Sequence, residues 1–132
     1  MSSFEYGMFI MPFHPPEKPL SQSYDEDLEL IKIAEQLGFS EFWIGEHHTM
    51  KYENIVMPEL FIARAVAETD TIRLGPAPIC LQQHNPAHVA GRLAMLDHLS
   101  KGRLNLCFGA GSVTADLEMF GVNPRNLSLI HI

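Results

Sequence analysis

A regular alternation of short apolar runs with amphipathic stretches is the feature that most constrains this chain. Four runs rich in aromatic and aliphatic residues predict strands, at 5–13, 41–45, 71–81 and 104–108. A helical pattern follows each of them, at 25–38, 58–68, 85–102 and 114–120. The strand starts are roughly 30 to 36 residues apart, which is the spacing of a right-handed βαβ unit. The sequence therefore predicts an α/β fold with a parallel sheet.

Two architectures fit this alternation: an open doubly wound sheet, and the first four or so β/α units of a TIM-type eightfold barrel. A complete barrel needs about 250 residues, and this chain has 132. The last residues, 127–132, are mostly apolar and carry neither a helix cap nor a polar tail. We therefore expect a truncated fold over residues 1–126 and a divergent or non-native tail over 127–132.

The composition is that of a globular protein, with 46% hydrophobic and 19% charged residues. A net charge of −7, from 9 basic and 16 acidic residues without a basic cluster, argues against nucleic acid or an anionic membrane as partner. The apolar runs are far shorter than the roughly 20 residues that a membrane-spanning helix needs, and the N-terminus lacks a signal-peptide layout. We expect a cytoplasmic protein.

The second predicted strand ends in the polar triplet Glu46-His47-His48. In both architectures the active site lies at the carboxyl ends of the parallel strands, so this triplet should meet the segments 11–14, 77–84 and 109–112. Histidine is a general acid or base near neutral pH, and an adjacent carboxylate can orient it. The alternative is a pair of surface histidines, or of core histidines with satisfied hydrogen bonds.

Two further segments interrupt the regular pattern. Ala77-Pro78 lies inside an apolar strand, where proline removes a ladder hydrogen bond. This predicts either a bulge, with or without a cis peptide bond, that turns the backbone towards a ligand, or an edge strand. Gly109-Ala110-Gly111 could bring backbone N–H groups close to an anion, or it could be a plain tight turn. It is not the dinucleotide fingerprint, because Thr114 stands where a third glycine is required.

The sequence carries no strong metal-binding pattern. It has no HExxH motif, and His84 and His88 would share a helical face only if the helix began before Asn85-Pro86, which form its N-cap and first turn. Cys80 and Cys107 lie in apolar runs without CxxC spacing, which predicts buried free thiols. We expect no metal site.

Several motifs resemble a known family in order and spacing. They are Gly38-Phe39, the segment 43–48 with Glu46-His47-His48, the bulge at 74–79, His84-Asn85-Pro86, the Leu-Ser-Lys-Gly-Arg of 99–103, and Phe120-Gly121-Val122. Together they resemble the bacterial luciferase-like flavin-dependent monooxygenase family over residues 4–125. The resemblance implies a TIM-type β/α barrel of which this chain holds about the first four units.

The resemblance also implies a chemistry. It implies reduced FMN supplied by a separate NAD(P)H flavin reductase, O2 as co-substrate, and a flavin C4a-peroxide that oxygenates a small apolar organic substrate. Aldehydes, terpenes, alkanes and organosulfur compounds are the substrate types implied. We expect this chain by itself to be an inactive fragment that binds FMN weakly or not at all.

Residue roles follow from the resemblance position by position. His47 matches the family's catalytic histidine, and Glu46 matches the neighbouring flavin-site carboxylate. Five further residues match family positions that face the flavin, in the bulge or after the fourth strand. They are Ala77, Pro78, Gly109, Ala110 and Ser112. We expect Phe9, Met11 and Trp43 to wall a pocket in which His47 gives or takes a proton.

The chain departs from the family pattern at two positions. Gly109 stands where luciferase carries a reactive cysteine, and Cys107, two residues earlier, should not inherit that role. Ser128 occupies the region where the family places a phosphate-binding arginine.

Two other functions stay open from the sequence. One is a deazaflavin-dependent oxidoreductase of the same fold. The other is a non-catalytic half-barrel that associates with other chains, because open sheet edges favour pairing. In either case we expect a homo-oligomer, with substrate choice determined partly by the loop at 49–57.

Overall fold

Parallel strands lie side by side in the order of the chain. The computed structural model describes residues 4–125 and Leu127. Its elements are β1 (Gly7–Ile10), α1 (Leu20–Gln36), β2 (Glu41–Ile44), α2 (Pro58–Val66), β3 (Arg73–Pro76), β4 (Ile79–Cys80), the 3-10 helix η1 (Leu81–Gln83), α3 (Pro86–Ser100), β5 (Phe108–Gly109) and α4 (Thr114–Met119). The predicted alternation of strands and helices is confirmed.

Backbone pairing settles which of the two predicted architectures forms. β1 pairs with β2 and β2 with β3, all parallel, and Phe9, Trp43 and Gly75 lie in register across them. Leu104 bridges Leu74 in parallel, and β5 pairs with β4. Right-handed crossovers between strands that follow chain order place every helix on the same face of the sheet. The described residues therefore have the arrangement of consecutive barrel units, whereas a doubly wound sheet reverses its strand order.

The hydrophobic core lies between this sheet and its helices. In β2, Phe42 and Ile44 are fully buried and point towards the helices, while the alternate residues point to the opposite face. The helices contribute apolar side chains at helical spacing: Leu28, Ile31 and Ala34 from α1, Phe61, Ile62 and Ala65 from α2, and Val89, Leu93 and Leu96 from α3. Within the described residues, none of the helices combines the length and apolar character that crossing a bilayer requires.

Helix α3 is bounded as its sequence predicts. The Asn85 Oδ1 atom accepts hydrogen bonds from the backbone N–H groups of Ala87 and His88, at 3.0 and 3.3 Å. The helix ends where Lys101 and Gly102 take left-handed conformations, with φ of 56° and 79°. Helix α1 differs from its prediction, because it begins at Leu20 rather than at Asp25.

The third predicted strand is broken into β3 and β4 by a cis Ala77-Pro78 peptide bond. Its backbone bonds to both neighbours: the Ala77 N–H donates to the Ile44 carbonyl at 2.8 Å, and the Ile79 N–H to the Cys107 carbonyl at 2.8 Å. The segment is thus an interior bulge, and the edge-strand alternative is wrong. The fourth predicted strand is reduced to the Leu104 bridge and β5.

Arg103, the last residue of the Leu-Ser-Lys-Gly-Arg segment, links α2, α3 and β3. Its guanidinium donates to the carbonyls of Val66, Thr69 and Ile72, each at 3.0 Å, and to that of Ser100 at 3.2 Å. These carbonyls lie at the amino-terminal end of the sheet, opposite the strand ends where the polar triplet lies. Arg103 therefore supports the fold and not the candidate site.

The two cysteines differ in exposure. Cys80 is buried as predicted, and burial, together with the nearby Glu46 and Asp116 carboxylates, raises the pKa of its thiol to about 11. Cys107 is exposed, so its predicted burial is wrong. Its backbone carbonyl accepts the hydrogen bond from the Ile79 N–H of β4, and its side chain is exposed.

Candidate active site

A cavity of about 440 Å³ opens at the carboxyl ends of the strands. The segments that follow β1, β2, β3 and β5 all contribute to its wall. The lining residues are Phe9, Met11, Gly45, Glu46, His47, Ala77, Pro78, Cys80, Gln83, Gly109, Ala110, Gly111, Ser112, Val113 and Asp116. The predicted convergence of the strand ends is confirmed, and every residue matched to the flavin site by resemblance lines this cavity.

The structure explains how Glu46 and His47 both reach the cavity although they are adjacent. β2 ends at Ile44, so the alternation of side chains across the strand no longer holds at Glu46. The backbone then turns, and the His47 N–H donates to the Ile55 carbonyl at 3.3 Å. Trp43 does not line the cavity as predicted: its ring lies against Gly75, and its Nε1–H donates to the Glu41 Oε2 atom at 3.1 Å.

Glu46 is a buried carboxylate of the site with hydrogen bonds to both of its oxygens. Its side chain is 1% exposed, and its Oε1 atom accepts from the His48 Nε2 atom at 2.9 Å and from the His84 Nε2 atom at 2.6 Å. The Oε2 atom accepts from the backbone N–H of Cys80 at 3.0 Å. Both carboxylate oxygens are therefore used to hold β4, just beyond the cis Ala77-Pro78 bond, against the end of β2.

A second set of contacts determines which ring nitrogen of His84 carries the proton. The Arg92 guanidinium, which is only a donor, lies with Nη2 at 3.4 Å from the His84 Nδ1 atom and at 2.8 Å from the Glu59 Oε1 atom. The His84 Nδ1 atom thus accepts a hydrogen bond from Arg92. The proton is on the His84 Nε2 atom, which donates a hydrogen bond to Glu46.

Glu46, His48 and His84 could in principle hold a metal ion, because one ligand atom of each lies within 4.8 Å of the others. A metal on the His84 Nε2 atom would require that atom to be free of its proton while Arg92 already uses the Nδ1 lone pair. A neutral imidazole cannot supply both lone pairs. The cluster therefore acts as a hydrogen-bonded support for the bulge, and His48 completes it by packing edge-on against Phe120, with the ring centroids 4.7 Å apart.

His47 lies between two carboxylates from different parts of the chain. Its Nδ1 atom is 3.4 Å from the Asp116 Oδ2 atom, and its Nε2 atom is 3.3 Å from the Glu53 Oε2 atom. The imidazole is 16% exposed, so it is accessible from the cavity but not free in solvent. Such a ring can take up or release a proton at either nitrogen while remaining in place.

Asp116, in the first turn of α4, holds the turn that carries His47. Its Oδ1 atom accepts from the backbone N–H groups of Thr49 at 2.7 Å and His48 at 3.3 Å, and from the Thr49 hydroxyl at 2.5 Å. Burial raises the pKa of the Asp116 carboxyl, but these hydrogen bonds and that with His47 outweigh burial and hold the pKa below its usual value.

The loop at 49–57, which carries Glu53, is held by the segment that follows β1. Phe13 pairs with Glu53 through an antiparallel bridge and stacks on Tyr52 with the ring centroids 5.4 Å apart. His14 is buried, and its ring lies between the Asn54 Oδ1 atom at 2.5 Å and the Asp27 Oδ2 atom at 2.8 Å. The loop that places Glu53 beside His47 is therefore held by contacts at Tyr52, Glu53 and Asn54.

Two glycines pack tightly in the cavity wall, Gly109 against Pro78 and Gly45 against Met11. A Cβ atom added at Gly109 would lie 2.7 Å from Pro78 Cγ and 2.9 Å from Pro78 Cβ. At Gly45 it would lie 2.7 Å from the Met11 sulfur. With Phe9, these residues give apolar walls and a shelf at Pro78, and the backbone of 110–112 and the Ser112 side chain lie in the same lining. The residues present thus fit a planar heterocycle such as isoalloxazine.

Sequence reasoning missed three polar residues of the site. Asp116 carried a usable signal, since it is an acidic residue in the first turn after the glycine-rich strand end. His84 and Gln83 lie in the segment 77–84 that was expected at the site, and His84 also belongs to the His84-Asn85-Pro86 motif, but the sequence pattern gives neither side chain a role. Ser128, by contrast, lies outside the described residues.

Comparisons with known proteins agree with this geometry. A family profile described as luciferase-like monooxygenase matches residues 4–127. The 4-hydroxyprotoasukamycin monooxygenase of Streptomyces nodosus subsp. asukaensis is 42% identical over 96% of this chain and 34% of its own length. The chain spans about a third of the length of the curated relatives it matches.

Solved structures give the same picture. The oxygenating constituent of 3,6-diketocamphane monooxygenase from Pseudomonas putida, in complex with FMN, superposes with a TM-score of 0.88 at 30% identity, over 92% of this chain and 34% of that one. The coenzyme F420-dependent tetrahydromethanopterin reductase of Methanopyrus kandleri superposes with a TM-score of 0.72 at 25% identity, over 93% and 31%. By the extent of the profile match and of the identity to its relatives, the chain belongs to the luciferase-like monooxygenase family.

Proposed function

We propose that this chain supplies the part of an active site that contains His47. The enzyme is an FMN-dependent monooxygenase, which uses reduced FMN and O2 to oxygenate a small apolar organic substrate. The observation that carries the proposal is the cavity in which His47, held between Asp116 and Glu53, faces the shelf formed by cis Ala77-Pro78 and Gly109. Reduced FMN, when bound, supplies the electrons and the reactivity towards O2. A separate NAD(P)H flavin reductase supplies that reduced FMN.

Each cavity residue of this chain has its own role in the proposed site. Ala77 and Pro78 support one face of the ring, and Gly109 and Ala110 allow it to approach the backbone. Ser112 contributes a hydroxyl at the same wall. Glu46 acts on the cofactor through Cys80 and the bulge that it holds, because both of its oxygens already accept hydrogen bonds.

His47 is the proton-handling residue of the proposal. It lines the cavity, and each of its ring nitrogens lies within 3.4 Å of a carboxylate oxygen. The two carboxylates keep the imidazole in position, so that it can release a proton to a bound ligand, or take one up, without movement of the ring. Phe9, Met11 and Pro78 line the same space with apolar side chains.

The test is a titration of the chain with FMN followed by ¹H–¹⁵N NMR, which detects even weak binding. The proposal predicts saturable shifts at the backbone amides of His47, Gly109, Ala110 and Ser112, with His88 on the exposed side of α3 unaffected. Shifts that do not saturate, or that cluster on the helices, would contradict it.

A deazaflavin-dependent oxidoreductase is the second candidate, favoured by the structural similarity to the F420-dependent reductase. The same titration with coenzyme F420 separates the two. Tighter binding of F420 than of FMN, together with hydride transfer in the absence of O2, would support the second candidate over the first.

We also infer that the chain is a homo-oligomer. Phe9 and Phe108 are about half exposed, at 51% and 49%, and Leu106 is 44% exposed. Large apolar groups so placed on a sheet favour association with another surface. A non-catalytic chain that acts only through this association remains the alternative, and saturable FMN binding would argue against it.

A further inference from the structure

One polar side chain in the cavity wall has an atom without a partner. Gln83, the last residue of η1, is 8% exposed and lines the cavity. Among the described residues, its Oε1 atom is fully buried and has no hydrogen-bond donor. The two other described atoms in this condition, on Ser23 and Glu59, belong to side chains outside the cavity wall. The unmatched acceptor is therefore particular to this site.

The Gln83 amide is held in the cavity wall by its neighbour Gly111. Gly111 has φ of +75°, and a Cβ atom there would lie 3.2 Å from the Gln83 Nε2 atom. The same Cβ would lie 3.4 and 3.5 Å from Cys80 Cβ and Sγ. Glycine at this position thus lets the backbone pack closely against the Gln83 amide and Cys80.

The chemistry of a primary amide restricts the ligand. It offers an N–H donor beside a carbonyl acceptor in one plane. A heterocyclic imide, in which an N–H group lies between two carbonyls, presents the complementary donor and acceptor. A buried carbonyl without a partner is unfavourable, so a ligand that supplies the N–H gains a contact that the protein alone leaves unmade.

We propose that Gln83 binds the imide edge of a flat heterocycle in this cavity, accepting its N–H at Oε1 and donating from Nε2 to the adjacent carbonyl. The inference rests on the proposed function, because the pyrimidine ring of flavin is the imide concerned. Gln83 would then orient the ring relative to His47, on the same cavity wall.

The test compares two flavins that differ only at this N–H: lumiflavin and 3-methyllumiflavin. NMR titration of the intact chain is expected to show about tenfold tighter binding of lumiflavin, with a shift of the Gln83 side-chain amide resonances. In Gln83→Leu the two flavins should bind equally. Gln82→Leu, which alters a neighbouring glutamine outside the cavity lining, should keep the discrimination.

Each result has a distinct meaning. Equal binding of both flavins to the unmodified chain, or full discrimination in Gln83→Leu, would overturn the role of Gln83 and leave the flavin site standing. Binding of neither flavin would contradict the proposed function and this inference with it. When Gln83→Leu fails to fold, the side-chain amide resonances of Gln83 in the unmodified chain decide the question: they should shift with lumiflavin, and the absence of that shift would overturn the role of Gln83.

Discussion

The Nδ1 atom of His47 lies 3.4 Å from the Oδ2 atom of Asp116, although the two residues are 69 positions apart in the chain. His47 follows β2, and Asp116 belongs to the first turn of α4. This contact joins the second and fourth β/α units across the cavity, and the same carboxylate also holds the backbone of His48 and Thr49. The position of the proton-handling histidine therefore depends on a helix that its own unit does not contain.

The variant Asp116→Asn should lower the free energy of unfolding at pH 7 by about 1 to 3 kcal/mol, because it weakens charge-assisted hydrogen bonds to a buried turn. The folded-state pKa of Asp116 lies below its ordinary value of 3.8, so its contribution is present above that pH and is lost as pH falls through the folded pKa. Urea unfolding at pH 7 and at pH 3 measures both effects. The difference from the unmodified chain should shrink at pH 3.

Asp97→Asn, on the exposed face of α3, is the control and should change stability by less than about 0.5 kcal/mol at either pH. A destabilisation by Asp116→Asn that is as large at pH 3 as at pH 7 would show that the charge of Asp116 is not responsible.

In a complete barrel that contains this chain, His47→Asn should reduce oxygenated product by roughly a hundredfold, since general acid–base catalysis contributes about 10² to 10⁴ in rate. FMN affinity should change by no more than about threefold, because the walls of the cavity remain. The assay supplies reduced FMN through a flavin reductase under air and measures product and flavin binding separately. His88→Asn, an exposed histidine of α3, should leave both unchanged; equal turnover in the His47 variant would remove that residue from the reaction.

The two cysteines should differ sharply in reactivity. At pH 8 iodoacetamide is expected to modify Cys107, which is exposed, and to leave Cys80 intact, since its thiol is buried with a pKa of about 11 and the thiolate is the reactive form. Peptide mass spectrometry after brief labelling reports each site. The Cys107→Ser variant should show almost no labelling until the chain is unfolded, and rapid labelling of Cys80 in that variant would contradict the described burial.

Association through the exposed sheet face should be visible in solution. Sedimentation velocity is expected to show a dimer or larger species, and Phe108→Ser should shift the distribution towards monomer by removing a half-exposed aromatic ring. Leu37→Ser removes an exposed apolar residue at the end of α1 and should have no such effect. A monomeric unmodified chain would overturn the proposed homo-oligomer.

Periodicity was enough to predict the layout of this fold. The apolar runs, the Asn85-Pro86 start and the Lys101-Gly102 end of α3 are local signals, and local hydrogen bonds satisfy them in the structure. The position of the site followed from the same reasoning, because carboxyl ends of parallel strands must lie at one edge.

The contacts that define the site could not be predicted in this way. Which face Trp43 or Cys107 presents depends on the residues across the sheet: Gly75 leaves space for the Trp43 ring, and the Cys107 side chain is exposed. Likewise, the hydrogen bond between Glu46 and His84 depends on the bulge, which brings the chain back towards the end of β2. A single sequence gives no measure of such tertiary contacts.

The account depends most on the claim that a flavin ring lies on the shelf that Pro78 and Gly109 form together. FMN titration of Gly109→Ala beside Gly91→Ala tests it most directly, with circular dichroism to show that both fold. A Cβ at Gly109 would lie 2.7 Å from Pro78 Cγ, whereas at Gly91 it would meet nothing within 4 Å. The account predicts at least about a tenfold loss of FMN affinity for Gly109→Ala, since the added methyl group displaces the shelf, and no loss for Gly91→Ala. Equal affinity in the two variants would contradict it.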